Sequence, residues 1–317
     1  MESHEIRSTI TRNVSETLTE EALDSLIEKP HTKIRAYCGY ETSGPVHLGH
    51  LVTILKLKEL SDAGIQVVVL FADYHTWLNR KGDWPFIREQ ARAWERTFRR
   101  LGLNRAEFVL GSSYQRKAEY MDDVLTLGLN ATLQRGLRSM EQIARDFSHA
   151  RISQAVYPLM QIADIKHLNV DIAVGGMEQR KIHVLGREIC ESIGKSPFVA
   201  IHTPLISSLL GEGKMSSSIP DSMVSVDDTA EDIVRKIRKA HCPAGEVKGN
   251  PIMEIARLII FPYAVSITLE RPDKHGGNIT FDSYVELETA YTEGGVHPLD
   301  LKNTIARYLT EILHGEA

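Results

Sequence analysis

The chain has 317 residues, 42% of them hydrophobic and 25% charged, an ordinary globular composition with length for one large domain and a smaller one. A net charge of −5 argues against a nonspecific nucleic-acid binder while leaving room for local basic stripes. No apolar run of about 18 residues marks a membrane span, segment 1–12 is charged where a signal peptide would be apolar, and the scattered Cys38, Cys190 and Cys242 lack metal-ligand spacing and fit a reducing cytoplasm.

In chain order, residues 33–39 read as a short buried strand, then a glycine-rich turn and an apolar-periodic helix over about 48–63. The β-branched run at 66–72 is the mark of a parallel strand covered on both faces. A helix over about 86–101 and a third strand at 107–110 follow. Arg88, Arg92, Arg96, Arg99 and Arg100 share helical spacing, and Arg135, Arg138 and Arg145 form a second basic group, with Lys236, Arg238 and Lys239 a third. Each is a candidate RNA stripe whose ordinary reading is a solvated helix face. Residues 112–146 are largely helical and charged and read as an insertion between two halves of a nucleotide fold. Strands at 170–174 and 198–202 flank a helix over 179–193. Strands alternating with helices imply an α/β, Rossmann-like doubly wound parallel sheet. After about Met223 the strand signals fade, and 229–240, 251–260 and 299–313 look helical. The expected organisation is therefore a Rossmann-like domain over 1–223, with the insertion at about 112–146, and a small, mostly α-helical C-terminal domain over 224–317.

Two segments carry the chemistry. Gly44-Pro45-Val46-His47-Leu48-Gly49-His50 lies where the first strand meets its helix, and Gly211-Glu212-Gly213-Lys214-Met215-Ser216-Ser217-Ser218 is a polar loop after the last strand of the sheet. A reaction at the α-phosphate of ATP needs donors aimed at oxygens that gain charge. Two imidazoles at a helix N-terminus meet that need, and a glycine-flanked lysine closing over the outer phosphates supplies the rest. Gly49 would let adenine or ribose approach the backbone. Each segment alone has a plain alternative: histidines capping a helix, or a solvated serine loop. Together, in this order and on these elements, they are specific.

The pair resembles the HIGH and KMSKS signatures of class I aminoacyl-tRNA synthetases, and most of the chain resembles the archaeal and eukaryotic tyrosyl type. The matching stretches are 37–50, 71–79, 157–165, 171–183, 211–218, 240–245 and 297–302. The resemblance implies that Tyr37 and Asp164 hydrogen-bond a substrate phenol. It implies that Tyr157, Gln161 and Gln179 hold the ammonium group, and that Gly39, Glu41 and His75 line the pocket. Tyr157, Gln161 and Asp164 stand at i, i+4 and i+7, so one helix face presents a hydroxyl, an amide and a carboxylate. Since most of that helix is apolar, such a stripe needs buried partners. Phenylalanine would leave the polar pair unsatisfied, at about 1–3 kcal/mol per buried group. Tyrosyl enzymes are the standing example of that rejection without an editing domain.

For ATP, the resemblance implies contacts from Gly44, His47, Gly49, His50, Gly176, Glu178, Lys214, Met215, Ser216, Ser217 and Ser218, with His47, His50 and Lys214 catalytic. Glu178 stands where related enzymes often carry Asp, and Ser217 replaces the second lysine of the signature, leaving Lys214 as the only lysine of the motif. For tRNA(Tyr), it puts Arg138 and Arg180 near the first base pair of the acceptor stem and His297 and Asp300 near the first anticodon base. His275 falls where archaeal relatives tend to carry an aromatic residue. A carboxylate suits the N1 and N2 donors of an unpaired guanine, while the ordinary reading of Asp300 is an N-terminal helix charge. The implied protein is a cytoplasmic homodimer joined through the insertion, using L-tyrosine, ATP with its Mg2+, and tRNA(Tyr), with no metal site of its own and no membrane contact. Rival readings are a tryptophanyl sister enzyme, a small-molecule adenylyl-forming enzyme of the pantothenate synthetase kind, and a noncatalytic tRNA-binding paralogue.

Overall fold

The computed structural model describes residues 2–143, 149, 151–216 and 219–315, with the side chain of His275 outside the description. The chain divides into two compact units, one of residues 1–43 and 53–204, the other of 44–52 and 205–317.

In the first unit, α1 (Ser3–Thr11), β1 (Glu16–Leu18) and α2 (Glu20–Leu26) precede β2 (Arg35–Tyr40). Helix α3 (Leu48–Asp62) leads to β3 (Gln66–Phe71), the short α4 (Asp73–Leu78), α5 (Trp84–Arg100) and β4 (Glu107–Leu110). The insertion supplies α6 (Ala118–Leu129) and α7 (Leu133–Ser139), followed by α8 (Ile152–His167), β5 (Ile172–Gly176), α9 (Arg180–Ile189) and β6 (Val199–Thr203). Among the described residues the strands form a sheet in the order β1-β6-β5-β2-β3-β4. All pairings are parallel except β1 against β6. Val67 to Phe71 and all of β5 and β6 are buried, as expected of parallel strands with helices on both faces. From β2 the chain moves to β3 and β4 on one side and later returns to fill β5 and β6 on the other. The order therefore reverses between β2 and β5, the place where such sheets open a crevice for ligands.

Local sequence explains the helix ends. Asp83 caps α5, its carboxylate accepting from the Phe86 amide at 3.0 Å, with Pro85 in the first turn. Apolar positions of α6 and α8 (Tyr120, Val124, Leu127, Met160, Ile162, Ala163) form one core cluster with Leu185, Ile189 and Ile193. A second, of Tyr37, Val68, Leu70, Ile165, Val170, Ala173 and Phe198, packs on the sheet.

The second unit contains α10 (Ala230–Lys239), α11 (Pro251–Ile255), a π-helical turn over Ala256–Ile260, α12 (Phe261–Tyr263), α13 (Tyr284–Thr292) and α14 (Pro298–His314). It also holds a hairpin of β7 (Ile267–Leu269) and β8 (Ile279–Phe281), which the helical expectation for the C-terminal segment omits. Strands of three residues are too short for period-two alternation to register.

Candidate active site

Asp164 is fully buried on α8 and organises the first constellation. Its Oδ1 accepts from the Tyr114 hydroxyl at 2.6 Å, the Gln115 amide at 2.8 Å and the Tyr120 hydroxyl at 2.8 Å. Its Oδ2 has no hydrogen-bond partner among the described residues and lies 3.6 Å from His75 Nε2. Both ring nitrogens of buried His75 likewise lack a hydrogen bond there. Buried polar atoms are normally paired, so a carboxylate oxygen and an imidazole left facing each other suit a ligand hydroxyl. Tyr37, on β2 in register with Ala173 of β5, stands in the field of Asp164. Burial first, and the Asp164 charge second, push the phenols of Tyr37, Tyr114 and Tyr120 up, so all three remain O–H donors.

At the other end of the stripe on α8, the buried Tyr157 ring meets His75 edge-on at 4.6 Å and stands in the field of Glu41. Glu41 accepts from Asn79 Nδ2 at 3.0 Å and pairs with Lys81. Gln161 Nε2 donates to Gln179 Oε1 at 3.2 Å, and Gln179 Nε2 reaches Glu178 Oε1 at 3.5 Å. Gly39 is exposed on β2, Gly176 is buried at the end of β5, and Glu178 Oε2 is buried without a partner among the described residues. A Cβ on Gly175 would stand 2.8 Å from Gln179, so only glycine lets that side chain fold back over β5.

The second constellation lies in the other unit. Residues Val46 to Leu48 run antiparallel to Val224 to Val226, with Leu48 N donating to Val224 O at 3.1 Å and Val226 N to Val46 O at 2.9 Å. That pairing fixes His47 at the start of α3, where its Nδ1 accepts from Gly49 N at 3.1 Å while its own amide donates to His50 Nδ1 at 3.2 Å. The two imidazole rings lie 3.8 Å apart, tilted by 32°. Here Gly49 has a nearer reason than ligand approach: a Cβ would meet the His47 ring at 2.9 Å. Burial, then the charge of Lys214, lowers His47 to about 4, leaving a neutral imidazole that can donate. Lys214 is exposed, its backbone bridged to Ser207, and Gly211 and Gly213 take positive φ angles of 89° and 70° on either side of Glu212. Ser207 is pinned through its amide and hydroxyl to Glu254, at 2.6 and 3.0 Å. Met215 is buried, Ser216 bonds Ser222, and Ser217 and Ser218 lie outside the described residues. Gly44 precedes this segment in its turn.

The remaining expected residues are dispersed. Arg138 is exposed on α7, and Arg180 Nε donates to both oxygens of Glu16 at 2.9 and 2.7 Å. His297 is the N-cap of α14, accepting from Leu299 N at 3.2 Å, and Asp300 sits in that first turn, so both also serve the helix. The backbone of His275 lies in a turn between β7 and β8, and Arg145 lies outside the described residues. Tyr114, Gln115 and Tyr120 are residues of this candidate site that sequence reasoning missed. They come from a turn and a new helix with no shared periodicity, and only packing brings them onto Asp164.

Residues 28–314 match the family model for class I tRNA synthetases (W and Y). The chain is 48% identical over 315 residues to a tyrosine–tRNA ligase of Methanopyrus kandleri, covering 99% of this chain and 97% of that one. A crystal structure of tyrosyl-tRNA synthetase complexed with L-tyrosine from Archaeoglobus fulgidus superposes with a TM-score of 0.94 at 47% identity, over 98% of each chain. A crystal structure of tyrosyl-tRNA synthetase from Aeropyrum pernix gives 0.90 at 42% identity, over 99% of this chain and 93% of that one.

Proposed function

The chain belongs to the class I tRNA synthetases of the tryptophan and tyrosine kind, and from that premise we propose that the Asp164 pocket receives L-tyrosine while the His47 and Lys214 segments act on ATP. Its activity is tyrosine–tRNA ligation, in which ATP activates tyrosine as the adenylate and the tyrosyl group then passes to the 3′ end of tRNA(Tyr). One observation carries the tyrosine reading. Asp164 Oδ1 is saturated by three donors, whereas Oδ2 faces His75 beside the Tyr37 phenol. A phenolic hydroxyl can donate to that oxygen and accept from Tyr37. An indole, which only donates, cannot do both.

In the first step a tyrosine carboxylate oxygen attacks the α-phosphorus and the bond to pyrophosphate breaks. Tyr157, Gln161 and Gln179 hold the ammonium group, with Gly39, Glu41 and His75 lining the pocket. Neutral His47, with His50 beside it at the head of α3 and Lys214 on its loop, stabilises the charge that develops on phosphate oxygens. Gly44, Gly49, Gly176, Glu178 and Met215 to Ser218 complete the nucleotide contacts. In the second step the terminal ribose hydroxyl attacks the adenylate carbonyl carbon and AMP departs. Positioning and electrostatics suffice, with no side chain bonded covalently. Mg2+ enters as part of the nucleotide substrate.

Arg138 and Arg180 are assigned to the acceptor stem, and His275, His297 and Asp300 to the anticodon. Met121, Leu125 and Leu129 repeat at i, i+4 and i+8 on α6 and, with Leu133 and Ile152, are exposed. An apolar set of that kind suits a protein contact, and we assign it to a homodimer interface. Three unpaired thiols suit a cytoplasmic setting, and no helix among the described residues is long and apolar enough to cross a membrane. ATP–pyrophosphate exchange with each of the twenty amino acids tests the reading. Exchange driven by tyrosine supports it, while exchange driven by tryptophan, or by none, refutes it.

A further inference from the structure

Behind Gln161 runs a line of hydrogen bonds, buried at its centre, that the proposed mechanism does not use. Gln161 Nε2 approaches His183 Nε2 at 3.4 Å, His183 Nδ1 lies 3.0 Å from His202 Nε2, and His202 Nδ1 lies 3.1 Å from Glu16 Oε2. Glu16 in turn accepts both of its Arg180 contacts. The elements set this up: antiparallel β1 places Glu16 opposite His202, parallel β5 and β6 place His202 beside Gly175, and α9 carries buried His183.

The proton directions in this line follow from chemistry. The Arg180 guanidinium keeps Glu16 ionised, holding its carboxyl below the usual range, and a carboxylate only accepts. His202 must therefore carry its proton on Nδ1, which leaves Nε2 as an acceptor. His183 must then donate from Nδ1, which leaves its own Nε2 as an acceptor that, among the described residues, the Gln161 NH2 serves. Both imidazoles are held neutral by burial, as one proton per ring requires. A second carboxylate, Glu178, gives the same answer from the other side. It accepts from Gln179 Nε2, so Gln179 turns its carbonyl oxygen to the Gln161 NH2. Both hydrogens of the Gln161 amide are thereby claimed by protein, and its carbonyl oxygen is the atom left to face a ligand.

We infer that His183 and His202 are positioning residues that fix the Gln161 amide with its oxygen toward the substrate ammonium group, through a one-way hydrogen-bond line anchored on Glu16. The inference rests on the proposed role of Gln161. A primary amide flips at little intrinsic cost, and flipped it would offer NH2 to a cation. The line converts an ambivalent side chain into an acceptor.

The test compares tyramine with 4-propylphenol, its isostere with methyl in place of ammonium, by calorimetric or competition binding to the full-length protein. His183→Phe should weaken tyramine by about tenfold and leave 4-propylphenol unchanged, and His183→Gln, which can accept and donate at once, should restore most of the loss. Glu16→Ala, at the partly exposed outer end, should move tyramine in the same direction and serves if His183→Phe does not fold. A purely structural role would weaken both ligands together. Equal losses, or no loss, for His183→Phe and Glu16→Ala overturn the inference. If Gln161→Ala also leaves the tyramine preference intact, the ammonium role of Gln161 falls and takes the line with it. If Gln161→Ala abolishes the preference while the other two retain it, only the line fails.

Discussion

The Tyr114 hydroxyl donates to Asp164 Oδ1 at 2.6 Å from a turn 50 residues away in sequence. With Gln115 and Tyr120 it occupies one carboxylate oxygen, and the other, without a hydrogen-bond partner among the described residues, is the one proposed to meet the substrate. Tyr114→Phe removes one of the three donors and frees Asp164 to rotate. It should raise the tyrosine KM by about tenfold, the worth of a hydrogen bond to a charged group, with kcat for exchange little altered. Steady-state exchange kinetics check it, and a fall in kcat at constant KM would speak against this role.

Lys214 is exposed on a loop pinned by Glu254 and belongs to the second compact unit, whereas the residues proposed to read the phenol belong to the first. Lys214→Ala should slow adenylate formation by about 100-fold or more, the usual scale for losing one donor to developing charge. Tyrosine affinity should stay put. Single-turnover kinetics and calorimetry separate the two, and parallel losses in both would remove the lysine from the chemical step.

His47, His183 and His202 all sit below the usual imidazole value of 6.5, with burial the first cause at each. The unfolded chain therefore takes up protons that the native chain refuses as pH falls from 6.5 toward about 4, the His47 value. Stability is complete above that window and declines through it, by up to about 3 kcal/mol for His47 alone. Melting temperatures should drop steadily between pH 7 and pH 4.5, and His47→Gln should flatten the slope. A wild-type melt indifferent to pH over this range would contradict the buried neutral imidazoles.

On α6, Leu125 is 66% exposed and Leu129 88%, on the face that Met121 shares. Leu129→Asp disturbs no core contact in the monomer. It should convert a species of twice the 35.6 kDa chain mass into the single chain. Sedimentation equilibrium decides, and a variant that keeps the wild-type mass places the dimer contact elsewhere.

How far the sequence could be read depends on which residues report on each other locally. The apolar run of β3 is continuous and the polar stripe of Tyr157, Gln161 and Asp164 on α8 keeps helical spacing, so both were legible in one dimension. The short β1 was not, since three residues carry no alternation. With it went the meeting of Glu16 and His202, which exists only through antiparallel register. The six residues of α4, which carry His75, hold under two helical turns and gave no pattern either. Tyr114, Gln115 and Tyr120 converge on one oxygen from a turn and a helix, a relation that only tertiary packing creates. The signature segments were legible as a pair, but the collision that makes Gly49 a glycine depends on the His47 rotamer.

The most direct measurement is exchange driven by tyrosine and by phenylalanine, for wild type and for Tyr37→Phe, which keeps the ring and deletes only its hydroxyl. If the buried phenol of Tyr37 and the open oxygen of Asp164 read the substrate hydroxyl, kcat/KM for tyrosine falls by roughly tenfold or more while that for phenylalanine holds or rises. Equal falls for both amino acids, or an unchanged preference for tyrosine, would show that selectivity resides somewhere other than this pair.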